Sequence, residues 1–166
     1  ESYLRDWSQS NEKLVVFGLH REPLDYLSKK FKCDLIAGGV SSKEKQTIVK
    51  DWQINKKQFL FANIESAGTG VDGLQNVCSN MIIVELPWRP SDLWQVIGRL
   101  DRSGQKNSPN IKYLLSDDTI DMEMWSMLQA KEEVISAVNK GIDIKKSDSG
   151  MRAVMKKLKQ KKKSSK

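Results

Sequence analysis

The chain has 166 residues, enough for one ordinary domain with a hydrophobic core and a tail. It holds no apolar run long enough to cross a bilayer and no basic-then-apolar leader at its start, so no membrane role is expected. The formal charge of +7 is concentrated at one end: 145–166 carries ten Lys/Arg and one acid, a net of +9, whereas 1–144 has 18 basic and 20 acidic residues and sits near −2.

In chain order, residues 2–10 suit a short helix, and Lys13–Phe17 is an apolar run expected of a strand buried on both faces. Leu24, Leu27 and Phe31 recur at helical spacing. Cys33–Ile36 reads as a short strand closed by Gly38 and Gly39. Ser41 or Ser42 can cap a helix carrying Ile48, Val49 and Trp52. Gln58–Ile64, Asn80–Glu85 and Ile111–Leu115 are further strands, with helices over 91–102 and 119–139. Such alternation predicts an α/β domain over 1–140, a parallel sheet with helices on both faces, whose strand order is not readable. After Gly141 the periodicity fades, so 141–166 is expected to be a basic tail, partly helical or disordered. Cys33 and Cys78 follow no metal or redox spacing and read as reduced, buried side chains of an intracellular protein, with a disulfide as the alternative.

In an open parallel sheet, ligands gather at the carboxyl ends of the strands. Four segments fall there: 18–21, 37–40, 66–73 and 86–90. On a wheel of the predicted 91–102 helix, Leu93, Val96, Ile97 and Leu100 share a core face. Gln95, Arg99 and Arg102 fall opposite, an exposed row of donors suited to phosphate oxygens. A solvated helix face is the plain alternative.

The run Gln95-Val96-Ile97-Gly98-Arg99-Leu100-Asp101-Arg102-Ser103-Gly104-Gln105 resembles motif six of superfamily-two helicases, and its trailing Gly-Gln is similar to the Swi/Snf-type ATPases. Glu85, Trp88 and Pro90 match an acid-x-x-Trp-Asn-Pro element, with Arg89 in place of Asn. Ser66–Gly73 resembles the glycine-rich motif five, with Ala67 and Thr69 departing from it. Gly39, Glu44, Lys45 and Trp52 match a Gly-Ser, Glu-Arg, Phe segment, and Thr119-Ile120-Asp121 with Lys131 matches the segment after the last strand. The likeness covers about residues 10–135.

It implies a RecA-like C-terminal lobe that works with a first RecA-like lobe on nucleic acid, most simply duplex DNA, using ATP with Mg²⁺. Arg102 would be the arginine finger and Arg99 its support. Gln95, Gly70 and Asp72 would lie at the nucleotide, Asp72 near the ribose. His20, Arg21, Gly39, Ser66, Gly68, Trp88 and Arg89 would meet nucleic acid, joined by the tail lysines Lys161, Lys162 and Lys163. Neither a P-loop, G-x-x-x-x-G-K-[ST], nor an Asp-Glu pair after an apolar strand occurs here. The likeness places both, with the magnesium ligands, in a first lobe preceding Glu1, and implies that 1–166 alone hydrolyses no ATP.

Other readings stand beside this one. Gly68–Gly73 spells the dinucleotide fingerprint G-x-G-x-x-G, but the next strand leaves almost no room for its helix. His20 can be a plain surface histidine, Trp52 and Trp125 packing residues, and Met122, Met124 and Met127 members of an amphipathic helix rather than of a metal site. A non-catalytic scaffold is disfavoured by the intact Gln95, Arg99 and Arg102. An RNA helicase lobe is disfavoured by the Trp-x-Pro and Gly-Gln elements.

Overall fold

The apolar runs do pair as strands. In the computed structural model, which describes residues 1–117 and 119–139, β1 (Leu14–Gly18), β3 (Phe59–Asn63) and β4 (Asn80–Ile83) are buried along their whole length. The shorter β2 (Asp34–Ile36) and β5 (Asn110–Tyr113) flank them, giving an all-parallel sheet of order β2-β3-β1-β4-β5. This is the expected fold class, and the order adds what the sequence could not. The connections leaving β1 and β4 run to opposite edges of the sheet, which makes the crevice at their carboxyl ends a ligand-binding position.

The pleat divides the core into two layers. Leu14, Val16, Phe59, Phe61 and Ile82 share one face and pack with Leu4 of α1 (Ser2–Trp7) and Leu24 of α2 (Arg21–Lys30). The residues between them, Val15, Phe17, Leu60, Ala62, Met81 and Ile83, turn to the other face and are equally buried. Right-handed crossovers that run the opposite way along the sheet place α3 (Ser42–Ile54) on that second face. Trp52 of α3 is fully buried, a packing residue as expected, and Lys13 Nζ lies 4.7 Å from its ring centre.

Local chemistry explains where the elements stop. Ser41 caps α3 in a reciprocal capping box with Glu44. Lys13 precedes β1, whose pairing begins at Leu14, and its ammonium donates to the carbonyls of Trp52 (2.6 Å), Asn55 (3.1 Å) and Lys57 (3.0 Å), just where α3 ends. Cys33 precedes β2 because Lys32, at φ 51°, turns the chain out of α2. Both cysteines are free; Cys33 is half-buried, and burial pushes the Cys78 thiol up to about 11.

The fourth helix, α4 (Ile64–Ala67), is a single turn capped by the Asn63 side chain. It is followed by the glycine-rich loop and a 3₁₀ turn, Leu74–Asn76. The dinucleotide fingerprint therefore opens no helix. The fifth helix, α5, runs Pro90–Ile97, five residues short of the predicted end. Gly98 follows, and the next bonds tighten from Arg99 N–H to Val96 O (3.1 Å) and Leu100 N–H to Ile97 O (2.9 Å). Arg99 and Arg102 thus lie beyond the helix, which corrects the picture of one exposed row along it.

By compactness the described residues divide into Glu1–Pro87 with Ser91–Leu114, which contains the sheet, and Trp88–Pro90 with those from Leu115 onward. In the latter, α6 (Ile120–Asn139) begins behind a cap network. Thr119 Oγ1 donates to Ser116 O (2.7 Å), and Asp121 Oδ2 accepts from Ser116 N–H (3.2 Å). Met122 is exposed, Met124 and Met127 are buried and Trp125 is half-buried, an amphipathic pattern. The basic tail, with Lys161, Lys162 and Lys163, lies outside the described residues.

Candidate nucleotide and nucleic-acid site

The crevice between β1 and β4 is filled from within. Glu85, two residues past β4, accepts the backbone N–H groups of Leu19 and His20 at 2.8 Å each, and its second oxygen lies 2.9 Å from His20 Nδ1. Burial pushes this carboxyl up, but the His20 and Leu19 hydrogen bonds outweigh it and hold it below the usual Glu value. Two amides that could have met an anion are thereby occupied. His20 remains largely exposed, and Arg21 pairs with Asp25 one turn along α2 at 3.7 Å.

The glycine-rich segment 66–73 is held by its carbonyls. Lys45 Nζ donates to Ser66 O (2.7 Å) and Thr69 O (3.3 Å), Gln46 to Gly70 O (3.1 Å), and Gln53 to Gly73 O (2.7 Å). Arg99 donates to Gly68 O. In a trans peptide the C=O and the following N–H point in opposite directions. Each anchored carbonyl therefore points the next N–H away from its own donor: that of Thr69 from Arg99, that of Gly70 from Lys45 and that of Val71 from Gln46. Asn63 joins this segment to β1, donating to Leu19 O (2.5 Å) and accepting from Ser66 N–H (3.1 Å) and Oγ (3.2 Å).

Motif six closes on the same segment. A Cβ at Gly68 would stand 2.4 Å from Gln95 Oε1, so only glycine leaves that space to the amide. Arg99 is largely buried, 18% exposed, and its Nε has no partner in the structure. Arg102 reaches outward to Asp72 in an ion pair whose side chains are 45% and 55% exposed. Gly104, at φ 94°, lets the chain turn so that Gln105 can donate to Cys78 O (2.9 Å) and Leu100 O (3.2 Å). The trailing Gly-Gln is thus the brace behind Arg102.

Of the expected site residues, Ser66, Gly68, Gly70, Asp72, Gln95, Arg99 and Arg102 come together. Gly39 sits in the β2–α3 turn at φ 88°, and a Cβ on neighbouring Gly38 would be 3.9 Å from Ser66 Oγ. Trp88 is 54% exposed, its carbonyl accepting from Lys131 Nζ at 2.8 Å, and Arg89 is exposed beside it. Sequence reasoning missed the anchoring roles of Lys45, Gln46, Gln53 and Asn63. Asn63 carried a signal, an amide at a strand end three residues before Ser66, and Lys45 stood out as the match to the Arg of the Glu-Arg segment, without its anchoring role. No group of three or more His, Cys, Asp or Glu that could hold a metal occurs among the described residues.

Comparison with known proteins establishes the family and the fold. The family described as "Helicase conserved C-terminal domain" matches residues 1–104. The chain is 31% identical over 140 residues to the "SWI/SNF-related matrix-associated actin-dependent regulator of chromatin subfamily A-like protein 1" of Xenopus tropicalis, covering 80% of this chain and 15% of that protein. It is 30% identical over 148 residues to the human "DNA annealing helicase and endonuclease ZRANB3", covering 85% and 14%. The chain thus spans only a small part of these relatives. The crystal structure of the C-terminal part of the Fun30 ATPase domain shares the fold, with a TM-score of 0.65 at 20% identity over 75% of this chain and 43% of that one. The chain belongs to the helicase conserved C-terminal domain family, as the C-terminal RecA-like lobe of a Swi/Snf-type superfamily-two protein.

Proposed function

We propose that this lobe is half of an ATP-driven motor on duplex DNA, and that Arg102 is its arginine finger. The observation that carries the reading is the contrast between the two motif-six arginines. Arg99 is largely buried, bound to the Gly68 carbonyl and 3.9 Å from Asp72, whereas Arg102 is half exposed and its partner is that same exposed aspartate. An exposed pair of this kind contributes at most about 1 kcal/mol, so a phosphate can replace the carboxylate at little cost. Arg99 supports the turn, and its partnerless Nε is a donor left for a bound group. Gln95 and Gly70 line the same place, and Asp72, which also lies 3.9 Å from Arg99, meets a ribose hydroxyl once Arg102 leaves it.

A guanidinium on a phosphoryl group stabilises the charge that spreads over its oxygens during transfer. ATP with Mg²⁺ fits this donor set, the ion being held by carboxylates of a first lobe. Duplex DNA is favoured over RNA by the Trp-x-Pro and Gly-Gln elements and by the relatives' names, which are those of a chromatin regulator and a DNA annealing helicase. The N–H groups of Thr69 and Gly70, with Ser66, Gly68, Gly39, His20 and Arg21, are its contacts in the sheet-containing unit, and Trp88 and Arg89 are contacts belonging to the other unit. A steady-state ATPase assay tests the division of labour. Residues 1–166 alone should release no phosphate with or without DNA, and the protein carrying both lobes should do so when DNA is added. DNA-stimulated turnover by 1–166 alone would overturn the reading.

A further inference from the structure

Lys45 is the lysine that the structure treats least like a surface residue. It is 8% exposed, inside a chain whose other described lysines are exposed or half-buried, and it forms no ion pair among the described residues. A buried ammonium is costly unless its protons are hydrogen-bonded, and even then its charge is uncompensated without a carboxylate. Here two carbonyls take its protons, those of Ser66 and Thr69, on either side of the Gly68 peptide that Arg99 holds. No packing requirement calls for a cation at this place, since a methionine would fill the same volume.

We infer that Lys45 is a positioning residue for nucleic-acid binding: its buried charge moulds the 66–70 turn from beneath and makes the outward face of that turn attractive to a phosphate. It touches loop carbonyls and acts through them. Two consequences of one placement support this. Drawing the Thr69 carbonyl inward turns the Gly70 N–H outward, and the unneutralised charge acts through the thin loop in a medium of lower dielectric than water. Gln46, next along α3, repeats the first effect on Gly70 O without the charge. The inference rests on the proposed contact between this loop and nucleic acid, and the test separates the two.

The experiment is fluorescence-anisotropy titration of labelled duplex DNA, over a series of salt concentrations, with the complete two-lobed protein. The variants are Lys45→Met, Lys45→Gln, Lys45→Arg and Thr69→Glu, the last placing a like charge where the phosphate would sit. The expected result is that Lys45→Met weakens binding by about tenfold and flattens the slope of log K against log salt by about 0.9, the loss of one phosphate contact. Lys45→Gln, a neutral donor, should lose the slope as well, Lys45→Arg should keep it, and Thr69→Glu should weaken binding. Should Lys45→Met fail to fold, Gln against Arg decides, and equal affinity and slope for these two overturn the inference. Weak binding by Thr69→Glu with wild-type binding by Lys45→Met and Lys45→Gln overturns the role of Lys45 alone. Wild-type binding by Thr69→Glu overturns the loop contact itself, and the inference with it.

Discussion

Three glycines of the loop should respond to alanine in an order that the backbone sets. Gly68 has helical dihedrals, φ −56° and ψ −29°, and the atom nearest an added Cβ is the end of the flexible Gln95 side chain at 2.4 Å. Alanine there reduces the freedom of the unfolded chain by about 0.4–1 kcal/mol, a gain that roughly offsets the displacement of Gln95. Gly70 has φ 72° and would bring its Cβ to 3.0 Å from Ser42 Oγ. A left-handed alanine costs about 1–2 kcal/mol. Gly73, at φ 91°, carries the same cost, and its Cβ would fall 2.7 Å from Gln53 Nε2. Expelling Gln53 from the Gly73 carbonyl adds roughly 0.5–1.5 kcal/mol. Urea unfolding of the chain should therefore show Gly68→Ala within about 1 kcal/mol of wild type, Gly70→Ala lower by about 1–2 kcal/mol, and Gly73→Ala lower by about 2–3 kcal/mol. With a slope of about 1–3 kcal/mol per molar urea, the last is a midpoint shift on the order of 1 M. Gly68→Ala as damaging as Gly73→Ala would refute the reasoning, since it would place the strain at a position with ordinary dihedrals.

Two further outcomes are expected. Because the Glu85 carboxyl is held below its ordinary value near 4.5, it stabilises the fold above that pH, and the contribution is lost as pH falls through the lowered value; unfolding midpoints measured across the acid range should decline less steeply for Glu85→Gln than for wild type, and parallel profiles would count against it. Truncation after Asp143, which removes a segment of net charge +9, should weaken duplex binding by the isolated chain at low salt and flatten its salt dependence; filter-binding titrations with unchanged affinity would contradict this.

The elements of this fold were legible because both halves of the pattern are strong. Runs such as Leu14–Phe17 have no solvent face, and the intervening helices carry their apolar residues at helical spacing. Strand order was not legible, since it depends on which crossover passes over β1. The end of α5 was missed because the wheel assumes 100° per residue throughout. Gly98 ended that regularity and swung Arg99 inward, so the two arginines that the wheel placed together have different environments. Residues 95–105 were recognisable as a motif, yet the reason for Gly104 and Gln105 needed the contact with Cys78, 27 positions away in sequence. Lys45 carried no sequence signal of burial, because a lysine between Glu44 and Gln46 reads as a solvated helix face.

The central claim concerns Arg102, and steady-state ATPase measurement on the complete two-lobed protein with saturating DNA tests it most directly. Arg102→Ala should lower kcat on the order of 10³-fold or more while leaving DNA affinity close to wild type. Arg102→Lys should rescue little, because a point charge does not reproduce the planar fork. A kcat for Arg102→Ala equal to that of wild type would contradict the account and return Arg102 to the solvated surface.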